Sequence, residues 1–396
     1  MIRFASAAVL ICLLPIAAMA QVSDGVVRIG FITDLSGPYA SIDGPNGAEA
    51  IRMAVADAGG TAEGKWIEVL AGDHRNDPAT AAALARSWFE GGVDVLIGGV
   101  TSSTSLAMAQ VAAEHGKPFL AVGSGNSAHT NEQCSPTLIH YAYDTTAQGR
   151  ALGGPVVAGG GQDWFMLVPD YSFGQQMHVA AARSVAAAGG RVAGSALHPY
   201  AAGSFDAVLQ QAGKSNASVL GLVSGHTDLI NTVRAAKRLG VTGIMTLAAT
   251  FAFIDEVQAL GADAAGMYVA DSWFWSRDAD TRAWSSHFHQ RTGRMPSSLH
   301  AADYSAASFY LQTVQATGTD EPSVVLAHMR RATVNDMYAR GGTVRPDGRM
   351  VHDMYVLRVR APDAARGPWD LYELVAVVPG EAAWGTKAET RCALWK

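Results

Sequence analysis

The chain is expected to fold as an α/β protein, with two parallel-sheet lobes forming a hinged clamp. From residue 26 onward, short β-branched runs alternate with amphipathic stretches, and near residue 164 the whole pattern begins again. Polar loops rich in Gly, Ser and Thr stand where the strands end. Strand–helix–strand alternation favours a parallel sheet covered by helices on both faces. In such sheets ligands bind at the carboxyl ends of the strands. A length of 396 residues is enough for two cores.

In the first half, residues 26–32, 66–71, 93–97 and 118–122 read as strands, with helices at about 46–58, 78–90 and 104–115. Asp77-Pro78 is a helix start, with Asp as cap and Pro in the first turn, and Gly91-Gly92 is a stop. In the second half the strands are 164–168, 192–197, 219–223 and 243–247, with helices at 174–188, 204–213 and 228–239. Residues 141–150 read as a crossing between the halves. Helices follow at 279–291, 298–317 and 321–331, then short strands near 343–346, 353–360 and 371–377. This last part is too mixed for a third core and is read as completing both lobes. The expected division is 1–20 as a leader, 21–146 plus about 276–350 as one lobe, and 147–275 plus about 351–396 as the other, with 385–396 returning to the first.

Composition narrows the function. The net charge is −6 with no basic cluster, which argues against a nucleic-acid partner. Met1-Ile2-Arg3, an apolar run over 4–16 and Ala18-Met19-Ala20 have the layout of a secretory signal, cleaved after Ala20. The run is too short to span a membrane well, since that takes ~20 residues. Removing the leader leaves Cys134 and Cys392, which can pair in an oxidising compartment and tie the tail to the first lobe. Catalysis, a metal and a cofactor are not expected. The 12 histidines are scattered, and His287 and His289 point to different helix faces. Ser224-Gly225-His226 lacks the nucleophile-elbow pattern. Gly123-x-Gly125-x-x-Ala128 fits a dinucleotide fingerprint, but no helix pattern follows it directly.

The most informative stretch is Thr101-Ser102-Ser103-Thr104-Ser105, five hydroxyls where a strand gives way to a helix. One hydroxyl suffices for a cap, with its neighbours solvated. The alternative is an anion site, because the first helical turn has free N–H groups and hydroxyls add neutral donors. A second polar loop, Ser124-Gly125-Asn126, follows the next strand and would lie beside the first. In the second half, Tyr171 and Phe173, then His226, then Thr250 and Phe251 all follow strand ends. These aromatics, with Trp273-Phe274-Trp275, would stack on an apolar ligand body or else belong to the lobe cores.

The segments VRIGFITDLSGPYA, SSTSLAMAQVAAEHGKPFLAVGSG, DYSFGQQM and VRPDGRMVHDMYVLRV, in this order, resemble periplasmic substrate-binding proteins of ABC transporters, of the leucine/isoleucine/valine-binding type. The resemblance implies two Rossmann-like lobes with a three-crossing hinge. It also implies a monomer in the periplasm that hands a small ligand to permease subunits. By position, Ser102, Ser103, Ser124, Gly125 and Asn126 would hold a ligand carboxylate, and Tyr39 and Phe173, with Tyr171 beside them, would close over it. Amino-acid binders of the family carry an acidic residue in the second lobe for the ammonium group. None stands near Ala249-Thr250-Phe251, and Asp228, close to another second-lobe loop, can be read as facing solvent. An unpaired buried ammonium is costly, so an aromatic or other hydrophobic acid is the expected ligand. A branched-chain amino acid receptor, a sensor of amide or urea type and an exported enzyme are the other readings.

Overall fold

The computed structural model describes residues 22–396, so the leader and its cleavage after Ala20 lie outside the described residues. The first lobe begins with β1 (Val26–Thr33), α1 (Gly44–Asp57), β2 (Thr61–Ala62), β3 (Lys65–Asp73) and α2 (Pro78–Glu90). It continues through β4 (Val95–Gly98), α3 (Ser102–His115), β5 (Phe119–Ala121) and β6 (Leu138–His140). The second lobe contains α4 (Thr145–Ala158), β7 (Asp163–Pro169), α5 (Ser172–Ala187), β8 (Arg191–His198) and α6 (Asp206–Gly213). To these it adds β9 (Val219–Leu222), α7 (His226–Arg238), β10 (Thr246–Ala249), α8 (Ile254–Leu260) and β11 (Tyr268–Asp271). The chain then returns through α9 (Ala279–Thr292), α10 (Ser298–Thr317) and α11 (Pro322–Met329) to a small hairpin sheet of β12 (Thr333–Asn335), β13 (Arg340–Val344) and β14 (Met350–Val351). It ends with β15 (Met354–Val359), β16 (Tyr372–Val378) and α12 (Gly380–Ala383).

One sheet runs β2-β3-β1-β4-β5-β6 and the other β16-β15-β11-β10-β9-β7-β8. The strands from β7 to β11 pair in parallel, and β15 and β16 add an antiparallel edge. Strands buried on both faces read as continuous apolar runs, and successive side chains enter opposite cores. In β4, Val95 and Ile97 pack towards α1 and α10, while Leu96 packs towards α2 and α3. In β7, Trp164, Met166 and Val168 face α4 and α5, and Phe165 and Leu167 face α6 to α8.

Two expectations are corrected. Residues 141–150 are not only a crossing, because α4 begins at Thr145, capped by the Asp144 side chain on the Ala147 N–H at 2.8 Å. Two of its glycines, Gly149 and Gly153, serve packing. A Cβ on Gly149 would come within 2.6 Å of the Ala181 backbone in α5, so only glycine permits this helix spacing. The strand expected at 243–247 lies at Thr246–Ala249, after a short 3-10 turn over Val241–Gly243.

Three crossings join the lobes, at 141–144, 272–278 and 352–353. They are laced together at one carbonyl. Tyr338 Oη donates to Ala142 O at 3.2 Å and lies 3.1 Å from Ser272 Oγ, while His352 Nε2 stands 2.8 Å from the same Ala142 oxygen. Trp273 is buried in this hinge, its indole N–H donating to Met337 O at 2.9 Å. At the far end, Cys134 and Cys392 are bonded, with Cα atoms 5.7 Å apart. Thr390 Oγ1 also donates to Thr130 O at 2.8 Å, which holds the tail against the first lobe.

Asp271 ends β11 at the second crossing and accepts the Ser272 N–H at 2.7 Å. Burial pushes its carboxyl up to about 7 despite that bond. The folded chain therefore keeps a proton that the unfolded chain loses near the ordinary aspartate value of about 4. Its stabilising contribution is full below about pH 4 and is lost as pH rises to about 7. Denaturant titrations across that window should show a flatter pH dependence for Asp271→Asn than for the parent. Equal slopes would contradict the assignment.

Candidate functional site

The carboxyl ends of both sheets face a cavity of about 460 Å³ between the lobes. That is within the range of small-molecule sites, about 300–1,000 Å³. Its first wall starts where β4 ends. Gly98 has φ +114°, and a Cβ there would meet Ile32 O at 2.5 Å, so glycine is required for the turn into α3. The five hydroxyls then divide by task. Thr101, Ser102 and Ser103 line the cavity. Thr104 and Ser105 are buried behind it, Thr104 Oγ1 donating to Thr101 O at 3.1 Å and Ser105 Oγ lying 2.9 Å from His129 Nε2. Burial drives the His129 imidazole down to about 3, so it is a neutral partner in the wall.

Gly123, Gly125 and Asn126 line the cavity next to α3. Ser124 does not. It is buried, its carbonyl 2.6 Å from His140 Nε2 and its Oγ accepting the Asn126 N–H at 3.3 Å, so it shapes the loop from behind. Tyr39 reaches the cavity from the loop after β1, which Asp34 orders by accepting the Gly37 and Tyr39 N–H groups at 2.8 and 3.0 Å.

The second wall carries Tyr171, Phe173, His226 and Phe251. Their rings form a continuous surface. Tyr171 stacks on Phe173 at 6.0 Å, and Phe173 and His226 both meet Phe251 edge-on, at 5.8 and 5.9 Å. Burial pushes the Tyr171 phenol up to about 12, so it stays a neutral donor. Thr250 is buried below this wall, donating to Leu222 O at 3.2 Å, and its side chain is spent on the strand end. Trp273 and Phe274 are buried away from the cavity in the hinge and the second core. The two lobes touch across the cavity. Tyr39 meets His226 edge-on at 5.1 Å, and Ser127 Oγ donates to Gln176 Oε1 at 3.3 Å.

Two acidic residues matter more than the sequence indicated. Asp228 does not face solvent. It is 5% exposed and lines the cavity, which corrects the reading of a second lobe without an acid at the site. Glu256 holds His226 in a left-handed conformation, φ +58°, that is unusual for a non-glycine residue. Glu256 Oε1 accepts the His226 backbone N–H at 2.8 Å and stands 2.9 Å from the ring Nδ1, while Oε2 accepts the Phe253 N–H at 3.0 Å. Asn76 and Tyr200 also line the cavity, and each follows a strand end, β3 and β8, where the rule that found the other loops applies equally. Gln176 lies three residues beyond Phe173 on the same helix face. Tyr143 comes from the first crossing, three residues after β6, a strand the sequence reading did not place.

Two α/β lobes laced by three crossings, with a cavity between them at their strand ends, define a hinged ligand receptor. A family model for periplasmic binding proteins matches residues 26–366, and the chain belongs to that family. A solved periplasmic binding protein from Burkholderia mallei is 47% identical, with 94% of this chain and 100% of that one covered and a TM-score of 0.89. A branched chain amino acid ABC transporter periplasmic ligand-binding protein from Burkholderia xenovorans is 31% identical, with 93% and 100% covered and a TM-score of 0.89. The Leu/Ile/Val-binding protein homolog 2 of Brucella abortus is 28% identical over 125 residues, which span 33% of its length and 31% of this chain.

Glu256→Gln takes away one of the two carboxylate oxygens and leaves a buried N–H facing an amide donor. Losing such a partner costs about 1–3 kcal/mol. Urea unfolding should show a stability loss of that order, and an unchanged midpoint would refute this role for Glu256.

Proposed function

We propose that this protein is the solute receptor of an ABC importer and that it captures a small organic acid with an aromatic or other hydrophobic body. One observation carries the reading. The helices α3, α5 and α7 all start at the cavity, and none has a side-chain cap. Elsewhere α2, α4, α9, α10 and α11 are each closed by the side chain of Asp77, Asp144, Asp278, Ser297 or Glu321, while α1, α6 and α12 also lack a side-chain cap but do not start at the cavity. Uncapped first turns leave N–H groups without partners and a partial positive charge, although in α7 the first of them, from His226, is already taken by Glu256. The Thr101, Ser102 and Ser103 hydroxyls stand beside these groups, and among the described residues no Lys or Arg lines the cavity. A carboxylate satisfies such donors without a counter-cation, through charge-assisted hydrogen bonds that strengthen once the lobes exclude water. The aromatic surface of Tyr171, Phe173 and Phe251 supplies the apolar contact.

Binding and release by rotation about the three crossings suit a carrier that presents its closed form to permease subunits. A branched-chain amino acid ligand is the second reading, favoured by Asp228 in the lining, which provides the acid that an ammonium group needs.

The test is a thermal-shift panel on the mature protein, unfolded and refolded once to strip carried-over ligand. It contains benzoate, 4-hydroxybenzoate, phenylacetate, coumarate, leucine, valine, acetamide and urea. A ligand at 100 times its Kd stabilises by about 2.7 kcal/mol. A shift with one or more of the aromatic acids is expected, with none from acetamide or urea. Shifts from acetamide or urea alone would overturn the reading, and shifts from leucine or valine alone would select the second.

A further inference from the structure

After β16 the tail touches the two lobes in turn. Ala383 and Trp384, at the end of α12, are buried in the second-lobe core beside α4. The Trp384 indole N–H donates to His352 O at 2.7 Å. One residue on, the Gly385 carbonyl accepts from the Arg345 guanidinium. Arg345 follows β13, whose Val344 is packed in the first-lobe core. Glu389 then pairs with Arg150 of α4 in the second lobe, and Arg150 also donates to Trp384 O at 2.9 Å. The chain next returns to the first lobe. Thr390 Oγ1 donates to Thr130 O, the Arg391 N–H donates to Asn131 Oδ1 at 3.1 Å, and Cys392 is bonded to Cys134. Between Gly385 and Thr390 the chain is drawn into a turn, where Glu389 Oε2 accepts the Thr386 N–H and hydroxyl at 2.8 and 2.9 Å.

The tail is thus a fourth link between the lobes, beside the three crossings, and it lies beyond the residues matched by the family model. We propose that residues 385–392 are a strap that restrains the parting of the lobes and shifts the ligand-free protein towards its closed form. When the lobes part, Trp384 moves with the second lobe and Cys392 with the first. The chain between them is short, with a reach of about 3.5 Å per residue at full extension. Separation therefore has to pull Gly385 off Arg345, release Glu389 from Arg150 or unwind the turn at Thr386. These losses fall on the open form alone, so they move the balance between open and closed. The strap is bonded to the segment 126–134. That segment carries Asn126 of the cavity lining and Ser127, whose hydroxyl meets Gln176 across the cleft. The restraint is therefore exerted at the rim of the ligand site.

Small-angle X-ray scattering tests this on the ligand-free mature protein, unfolded and refolded once with the disulfide kept oxidised. Inserting Gly-Ser-Gly-Ser between Lys387 and Ala388 gives the strap slack and keeps the disulfide. Arg150→Ala removes the hold on Glu389 and keeps the strap's length. The double variant Cys134→Ser/Cys392→Ser frees the strap from the first lobe. All three should scatter with a larger radius of gyration than wild type. Cooperative urea unfolding shows which variants fold, and two of them retain the disulfide, so loss of the cysteine variant leaves the test intact. The insertion variant decides, or Arg150→Ala if the insertion does not fold. A scattering curve that superimposes on wild type there overturns the proposal. Expansion of the cysteine variant alone also overturns it, because the disulfide would then serve the stability of the tail and not restrain the lobes. No ligand enters the measurement, so its outcome is independent of the carboxylate reading.

Discussion

Backbone N–H groups at the start of a helix must find partners, and in this molecule three helices leave that need open at the same place. The first turns of α3, α5 and α7 meet the cavity without caps. Parallel strands bring this about, because each strand ends at the same edge of its sheet and hands over to a helix that starts there. The local sequence then decides what is left unsatisfied. At α2, Asp77 closes the first turn on the Thr80 N–H. At α3 the equivalent position is Thr101, whose hydroxyl lies 2.8 Å from that of Thr104 instead of capping the turn.

That open demand has meaning only if the lobes can close on a ligand and part again. The hinge meets the requirement by gathering three crossings around the Ala142 carbonyl, through Tyr338 and His352. Burial lowers the His352 imidazole to about 4, so this contact does not change charge near neutral pH. At the cavity the lobes meet through the edge-on contact of Tyr39 with His226 and through hydrogen bonds of Ser127 with Gln176 and of Tyr39 with Tyr200. A pivot laced in this way lets ligand binding set the balance between open and closed states.

The parts of this design set by near neighbours in the chain could be read directly. The helix over 78–90 followed from Asp77-Pro78 and Gly91. The strand-end loops followed from the alternation itself. Features set by distant partners could not be read in this way. Gly149 and Gly153 of α4 are required by the close packing of α5, a partner the local sequence does not show. Ser124 and Thr250 occupy the right loops, but the Ser124 hydroxyl accepts the Asn126 N–H while its carbonyl meets His140 on β6, and the Thr250 hydroxyl donates to Leu222 O. Asp228 looked like a surface residue because its burial depends on the loop at Ala201, and Glu256 acts on His226 from another helix.

The central claim is that neutral donors in a closed cavity recognise a negative charge. Its most direct test compares the tightest-binding acid with its own primary amide, which has nearly the same shape and no charge. Replacing charge-assisted hydrogen bonds by neutral ones should weaken binding by about tenfold or more. An amide that binds as tightly as the acid would show that the uncapped helices do not read charge, and would contradict the account.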